Sequence, residues 1–130
     1  MKNLIIIFTL LFPILSHAKW VTLEISPNAF ILVDDSSVKK SNGYVYYWML
    51  VNYIRPGDLM SLRGFMQLDC KTPRKQRMLS WYAYEENMAK GSPYLTQTKA
   101  GEWEYTQSNS NKVNDNVAKK VCNKNLSLID

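Results

Sequence analysis

Three side chains in this sequence are of the types that do most protein chemistry near neutral pH: Cys70, Cys122 and a single histidine, His17. Histidine has an ordinary pKa close to neutrality, and cysteine thiolates are strong nucleophiles. His17 lies in the first 18 residues, which have the character of a cleaved leader. The mature chain would then hold no imidazole, which excludes a Ser-His-Asp or Cys-His nucleophile and a histidine-bound zinc site.

The carboxylates form no evident catalytic pair. Asp34 and Asp35 are adjacent on a predicted strand, so we expect their side chains on opposite faces. The Glu85-Glu86 pair, and Glu102 with Glu104, are separate acidic sites. A two-carboxylate glycosidase would therefore require a pairing that only tertiary structure could create. The sequence contains no phosphate-binding glycine loop, serine elbow or metal cluster, so we predict no catalytic residue, no metal site, no cofactor and no enzymatic activity.

The first candidate binding feature is a group of four cations within seven positions on both sides of Pro73. Such a group could bind acidic proteins, anionic glycans or lipid headgroups. The alternative is the solvated tip of a hairpin, whose charges discourage pairing at the edge of a sheet. The four residues are Lys71, Arg74, Lys75 and Arg77.

The second candidate feature is a set of aromatic side chains on two predicted strands. Aromatic rings on a sheet can stack on a ligand or form a dimer interface, but they also pack across strands in a core. Basic and aromatic residues together also suit single-stranded nucleic acid, but export argues against a nucleic-acid partner. The rings belong to Tyr44, Tyr46, Tyr47, Trp48 and Tyr53 on one strand and to Trp81, Tyr82 and Tyr84 on another.

The N-terminus predicts export. Lys2 precedes an apolar run from Leu4 to Leu15, and Ser16-His17-Ala18 has small residues at the −3 and −1 positions of a cleavage site. The run is shorter than the roughly 20 residues of a membrane span. We therefore predict a signal peptide over residues 1–18, one domain over residues 19–130 and no transmembrane segment. Removal of Lys2 lowers the formal net charge of +5 by one and leaves a modest basic excess.

Hydrophobic periodicity predicts a mainly β protein. Apolar and polar residues alternate from Met60 to Cys70, as in a strand with one face on a core, although Phe65 falls on the polar side. Tyr44 to Tyr53 is apolar on both faces, which indicates a central strand. Turn residues separate these two segments from the further strand candidates. The further strand candidates are Trp20–Ile25, Phe30–Val33 with Ser37–Lys40, Gln76–Tyr84, Tyr94–Gln97 and Trp103–Thr106.

The C-terminal segment changes to a helical period. Val113, Val117 and Val121 recur every four residues, which predicts a helix over about residues 109–124 with Ser108 or Ser110 as its N-cap. Cys122 lies on or beside the apolar stripe that these valines form on the helix, and Cys70 is on the core side of its strand. In an exported chain we expect these cysteines to form one disulfide that closes a loop of about 50 residues and contributes roughly 4 kcal/mol. An intermolecular disulfide is the alternative.

The order of several landmarks resembles the surface-adhesin protein E family of small exported bacterial proteins. The resemblance runs from Trp20 to about Cys122 and depends on order and spacing, since each landmark is common by itself. The landmarks are Trp20, Val33-Asp34, Ser36-Ser37-Val38-Lys39, Gly43-Tyr44-Val45, Trp48, Asp69-Cys70-Lys71, Gly91, Gly101, Trp103 and Cys122.

The resemblance implies an antiparallel sheet of about six strands with a C-terminal helix attached by the disulfide, an α+β fold that is mainly β. It also implies a non-enzymatic module that binds host extracellular proteins such as vitronectin and laminin, and that forms homodimers. The sequence has no lipid-attachment cysteine after the leader, so we expect a periplasmic or secreted protein rather than an anchored one. The alternative function is that of a periplasmic structural or envelope-associated protein with no host ligand.

Overall fold

An antiparallel sheet forms most of the computed structural model, which describes residues 18–55, 58–107 and 112–124. Eight strands within these residues form one sheet in the order β1-β2-β4-β5-β6-β7, with β3 beside β4 and β8 beside β6. The predicted fold class is confirmed. The strands are β1 (Trp20–Ser26), β2 (Ala29–Asp34), β3 (Lys39–Ser41), β4 (Tyr44–Arg55), β5 (Asp58–Asp69), β6 (Lys75–Tyr84), β7 (Leu95–Gln97) and β8 (Glu104–Tyr105), and one helix, α1 (Val113–Cys122), follows them.

Local sequence explains the connection from β2 to β4. Asp34 ends β2, and its carboxylate accepts hydrogen bonds from the backbone amide and hydroxyl of Ser36, which closes a 3-10 turn over Asp35–Ser37. The predicted turn at Ser41-Asn42-Gly43 is confirmed, because Asn42 and Gly43 have φ angles of 52° and 83°. Two successive positive φ angles are typical of tight hairpin turns.

The long central strands give the sheet two different faces. Odd-numbered residues of β4, among them Val45, Tyr47 and Met49, point toward α1 and are buried. They pack with Met66 and Leu68 of β5, since these residues share a face in the antiparallel register. We call this side of the sheet the helix face. Tyr47 is fully buried, and burial raises the pKa of its hydroxyl.

The helix packs on this core through the predicted valine stripe. Val117, Ala118 and Val121 are each at most 2% exposed. Cys122 forms the predicted intramolecular disulfide with Cys70, which follows the last residue of β5, and their Cα atoms are 5.8 Å apart. The N-cap predicted at Ser108 or Ser110 lies outside the described residues, as does the leader up to His17.

Charged side chains attach α1 to the sheet beside this apolar contact. Lys120 donates to the Leu23 carbonyl and to the Glu24 carboxylate, and Lys124 forms an ion pair with Asp35. The helix is thereby connected to β1 and to the turn after β2 as well as to β5. Among the described residues, no helix is both long enough and apolar enough to cross a membrane.

Candidate binding surface

The four predicted binding cations do not lie together in the structure. Lys71 is exposed in the loop after β5, and its backbone amide donates to the Asp69 carboxylate. Arg74 instead contacts Asp115 of α1, with 3.5 Å between its Nη1 and the carboxylate Oδ1. Lys75 and Arg77 are two residues apart on β6 and therefore share one side of the sheet. That side is the one opposite α1.

Trp103 holds Lys75 and Arg77 at one end of this opposite side. The Arg77 Cζ is 4.8 Å from the Trp103 ring centre, and the Lys75 Nζ is 5.1 Å from it. The Tyr44 ring centre of β4 is 5.6 Å from that of Trp103. Cations over an indole face are attracted by the ring quadrupole, most strongly when they are partly desolvated. Trp103 therefore positions two half-buried cations.

A second stack occupies the centre of the same side. Arg63 of β5 lies between Trp48 of β4 and Tyr82 of β6, with its Cζ 4.8 Å and 5.1 Å from the two ring centres. The strand register explains this contact. Arg63 is directly opposite Tyr82 on β6, and on β4 it is opposite Leu50, which is two residues from Trp48 on the same face. Phe65 extends the stack, with its ring centre 5.0 Å from that of Trp48.

Hydrogen bonds of Gln67 connect the stack around Arg63 to the stack around Trp103. Gln67 donates from its amide nitrogen to the Tyr46 hydroxyl at 3.0 Å and accepts from the Arg77 Nε at 2.7 Å. The Tyr46 ring in turn lies 6.1 Å from the ring of Phe65. We call this surface the aromatic–cation face. It consists of Tyr44, Tyr46, Trp48, Arg63, Phe65, Gln67, Lys75, Arg77, Tyr82 and Trp103.

The cations of the aromatic–cation face are not neutralised by carboxylates. In the described part of the chain, none of the ion pairs includes Arg63, Lys75 or Arg77. The acidic side chains that form ion pairs there do so with lysines or with Arg74 near α1: Asp35, Asp115 and Glu24. Rings rather than carboxylates therefore hold the three cations, and their charge remains available to a partner.

Comparison with known families identifies the chain at this point. The family model described as surface-adhesin protein E matches residues 20–123. The chain belongs to the surface-adhesin protein E family. The match begins at the first strand and ends just after the helix cysteine, so it includes the whole sheet and the disulfide. Searches of curated proteins and of solved structures found no match.

Membership of the protein E family supports an adhesin-like protein that is exported or on the cell surface, and it points away from enzymatic activity. The carboxylates considered for catalysis have structural or solvent-exposed positions in this chain. Asp34 caps the 3-10 turn, Glu104 is the exposed first residue of β8, and Glu102 is exposed two residues before it. No group of three or more His, Cys, Asp or Glu side chains within the described ranges could hold a metal ion.

The aromatic residues proposed for binding lie on both sides of the sheet. Tyr47 and Tyr84 are buried, and Trp81 lines a cavity on the helix face. Four residues of the aromatic–cation face were not among the binding residues predicted from the sequence: Arg63, Phe65, Gln67 and Trp103. Alternation could have identified the first three, because all three share the polar side of β5. Trp103 follows β4, β5 and β6 in the sequence, and no sequence pattern indicated that its ring would contact them.

Proposed function

We propose that this chain is a non-enzymatic binding protein that recognises a sulfated or carboxylated glycan through the aromatic–cation face. The observation that carries the proposal is the stacking of Arg63, Lys75 and Arg77 on half-exposed rings, with no ion pair to a carboxylate among the described residues. Rings bind the apolar faces of sugars, while guanidinium groups donate paired hydrogen bonds to sulfate or carboxylate oxygens. The half-exposed rings and fixed cations are arranged before a ligand arrives, which reduces the entropy lost on binding.

Heparin binding tests this proposal. We expect the variant carrying Lys75→Gln and Arg77→Gln to bind fluorescent heparin about tenfold more weakly than the parent protein. Two half-buried charge contacts of roughly 0.5–1 kcal/mol each together correspond to about one order of magnitude in affinity. The measurement is fluorescence anisotropy of the chain from Lys19 onward at several salt concentrations, with circular dichroism to verify folding.

The control removes two cations elsewhere. Lys99 and Lys112 are exposed and do not belong to the aromatic–cation face, so changing both to Gln removes the same net charge. The control variant should keep nearly the parent affinity. Equal losses in the two variants would mean that heparin responds only to net charge, and the proposed face would be rejected. Binding of an acidic polypeptide without binding of heparin would also reject the glycan and identify a protein partner.

Localisation provides a separate test of an adhesive role. We expect protease added to intact native cells to digest the protein, or the protein to accumulate in the medium, because an adhesin must meet its ligand outside the cell. A periplasmic marker enzyme should survive the same treatment. Complete protection until the outer membrane is opened would contradict the adhesive role and support a periplasmic structural protein.

A further inference from the structure

The cations of the aromatic–cation face lie at two separate places. Arg63 forms the first, which we call the first basic site. Lys75 and Arg77 both lie over the Trp103 ring and form the second basic site. Arg63 is four residues along β5 from Gln67, which is directly opposite Arg77. At roughly 3.3 Å per residue, the two basic sites are therefore about 13 Å apart along the strand.

The first basic site has hydrogen-bond donors that no described residue uses. The Arg63 Nε is enclosed without a partner, while its two Nη atoms are open to solvent and form no hydrogen bond to the described part of the chain. The rings of Trp48 and Tyr82 hold the guanidinium group between them. A guanidinium fixed in this way presents its terminal nitrogens as a fork that matches the oxygens of a sulfate or carboxylate.

The second basic site also keeps donors for a partner. The Arg77 Nε donates to the Gln67 side chain at 2.7 Å, which fixes the guanidinium and leaves its terminal nitrogens for a ligand. Lys75 is directly opposite Asp69, but the Asp69 carboxylate accepts from the Lys71 backbone amide. None of the ion pairs among the described residues joins Asp69 to Lys75. Each basic site can therefore bind one acidic group.

Aromatic rings fill the interval between the two basic sites. Phe65 lies between Arg63 and Gln67 on the same side of β5. Its ring centre is 5.0 Å from that of Trp48 and 6.1 Å from that of Tyr46. All three rings are half-buried, so each keeps part of its surface open to a partner. A sugar ring can pack its apolar face on such a surface.

The face is closed beyond the first basic site. Asn52 of β4 and Ser61 of β5 are directly opposite each other on this side of the sheet, and both are buried. Asn52 accepts a hydrogen bond of 2.9 Å from the backbone amide of Met88. Ser61 accepts one of 2.8 Å from the backbone amide of Ala89. The 3-10 turn Asn87–Ala89 therefore covers this end of the face and limits the length of ligand that the face can contact.

We propose that the ligand is a linear glycan segment of tetrasaccharide length with acidic groups on two non-adjacent sugars, one group at each basic site. This inference rests on the proposed function and adds the length and the charge spacing of the ligand. An interval of about 13 Å is longer than a disaccharide and is covered by a tetrasaccharide. A segment that reaches both basic sites makes its second contact within the same complex, which raises its affinity. Further sugars meet no other cation of the face and add little.

Three tryptophans allow an NMR test without any substitution. Trp48 lies at the first basic site and Trp103 at the second, while Trp81 is on the helix face and serves as the internal control. The isotopically labelled chain from Lys19 onward is titrated with heparin disaccharide, tetrasaccharide and hexasaccharide. We expect one tetrasaccharide per chain, shifts of the Trp48 and Trp103 indole N–H signals, and a fixed Trp81 signal. The tetrasaccharide should bind roughly tenfold more tightly than the disaccharide, and the hexasaccharide within about threefold of the tetrasaccharide.

Substitution of Arg63 assigns the second contact. Arg63→Gln should bind the tetrasaccharide about tenfold more weakly, close to the affinity of the disaccharide, because only the second basic site remains. Disaccharide binding should change by less than about threefold. Lys99 is exposed at the rim of the cavity on the helix face, so Lys99→Gln removes one cation elsewhere and should bind both ligands like the parent.

The length inference and the proposed function fail in different ways. Equal affinity of the parent for disaccharide and tetrasaccharide, two tetrasaccharides per chain, or a shift at only one of Trp48 and Trp103 would overturn the inference on length. Failure of the proposed function would instead appear as equal losses of heparin affinity in the variant at Lys75 and Arg77 and in its charge control. The length series of the parent decides the question if Arg63→Gln fails to fold.

Discussion

Replacing both Cys70 and Cys122 with serine will lower the free energy of unfolding by about 4 kcal/mol. The two cysteines are 52 positions apart, and a cross-link that closes a loop of this size restricts the unfolded chain by roughly that amount in the chain-entropy model. The loss is a large fraction of the 5–15 kcal/mol that is typical of a small domain. Urea denaturation followed by tryptophan fluorescence measures it, because four tryptophans report on the sheet.

The disulfide prediction also has a structural component. Cys122 attaches α1 to the end of β5, and Val117 and Val121 beside it pack on the core. We expect amides of α1 to exchange with deuterium faster in the double-serine variant than in the parent, relative to amides of β4. The parent protein reduced with dithiothreitol is the matched control and should behave like the variant. Unchanged unfolding free energy and unchanged helix exchange would show that apolar packing alone holds the helix.

Replacing Asp115 with alanine will cost about 3 kcal/mol, the second largest effect that we expect. Asp115 is 4% exposed, and its carboxylate accepts a hydrogen bond of 2.7 Å from the Thr106 hydroxyl. It also pairs with Arg74 at 3.5 Å and with Lys119 at 3.3 Å. Hydrogen bonds to a charged group contribute roughly 1.5–3 kcal/mol, and removal of the acceptor leaves the buried Thr106 hydroxyl without its best partner. Arg74 and Lys119 add less because both are partly exposed.

Asp115 also makes stability depend on pH. The hydrogen bond from Thr106, followed by the charges of Lys119 and Arg74, holds the pKa of Asp115 below its ordinary value of 3.8 against the opposing effect of burial. The folded protein therefore takes up this proton less readily than the unfolded chain does. The resulting stabilisation is complete above that ordinary value and is lost as the pH falls through the lowered pKa. Below pH 4 the parent should lose stability more steeply than Asp115→Asn does.

Glu102→Ala provides the control for Asp115. Glu102 is an exposed carboxylate, and surface substitutions of this kind usually change stability by no more than about 0.5 kcal/mol. Unfolding in urea at pH 7 and at pH 3 is measured for all four proteins: the parent, Asp115→Ala, Asp115→Asn and Glu102→Ala. A loss below 1 kcal/mol for Asp115→Ala, or parallel pH curves for the parent and Asp115→Asn, would show that Asp115 is not the polar anchor of α1.

Local sequence patterns predicted the strands and the helix because those patterns depend on near neighbours. Alternation from Met60 to Cys70 reflects the period of a strand, and the four-residue valine spacing reflects the period of a helix. The predicted segment Ser37–Lys40 is instead split between a 3-10 turn and β3. Asp34 causes the split because its carboxylate binds the amide of Ser36 and bends the chain.

The partners of the predicted binding cations depended on contacts between distant segments. Sequence proximity grouped Arg74 with Lys75 and Arg77, but Arg74 precedes β6 and lies outside the alternation that places Lys75 and Arg77 on one side of the sheet. Arg74 therefore meets Asp115, which is 41 positions away, while Arg77 meets Trp103. Hydrophobic periodicity contains no information on which distant strand or loop supplies a partner.

The sequence by itself determined the strands and the C-terminal helix, because local periodicity was sufficient for both. The antiparallel sheet was implied by the resemblance to the family, and the structure decided that Cys70 pairs with Cys122 within one chain. The tertiary structure alone decided the candidate binding surface. Arg63 reaches Trp48 and Tyr82 only through the register of three strands. A shift of one residue in either pairing would send these side chains to opposite faces, and such long-range pairing is not encoded in any short segment.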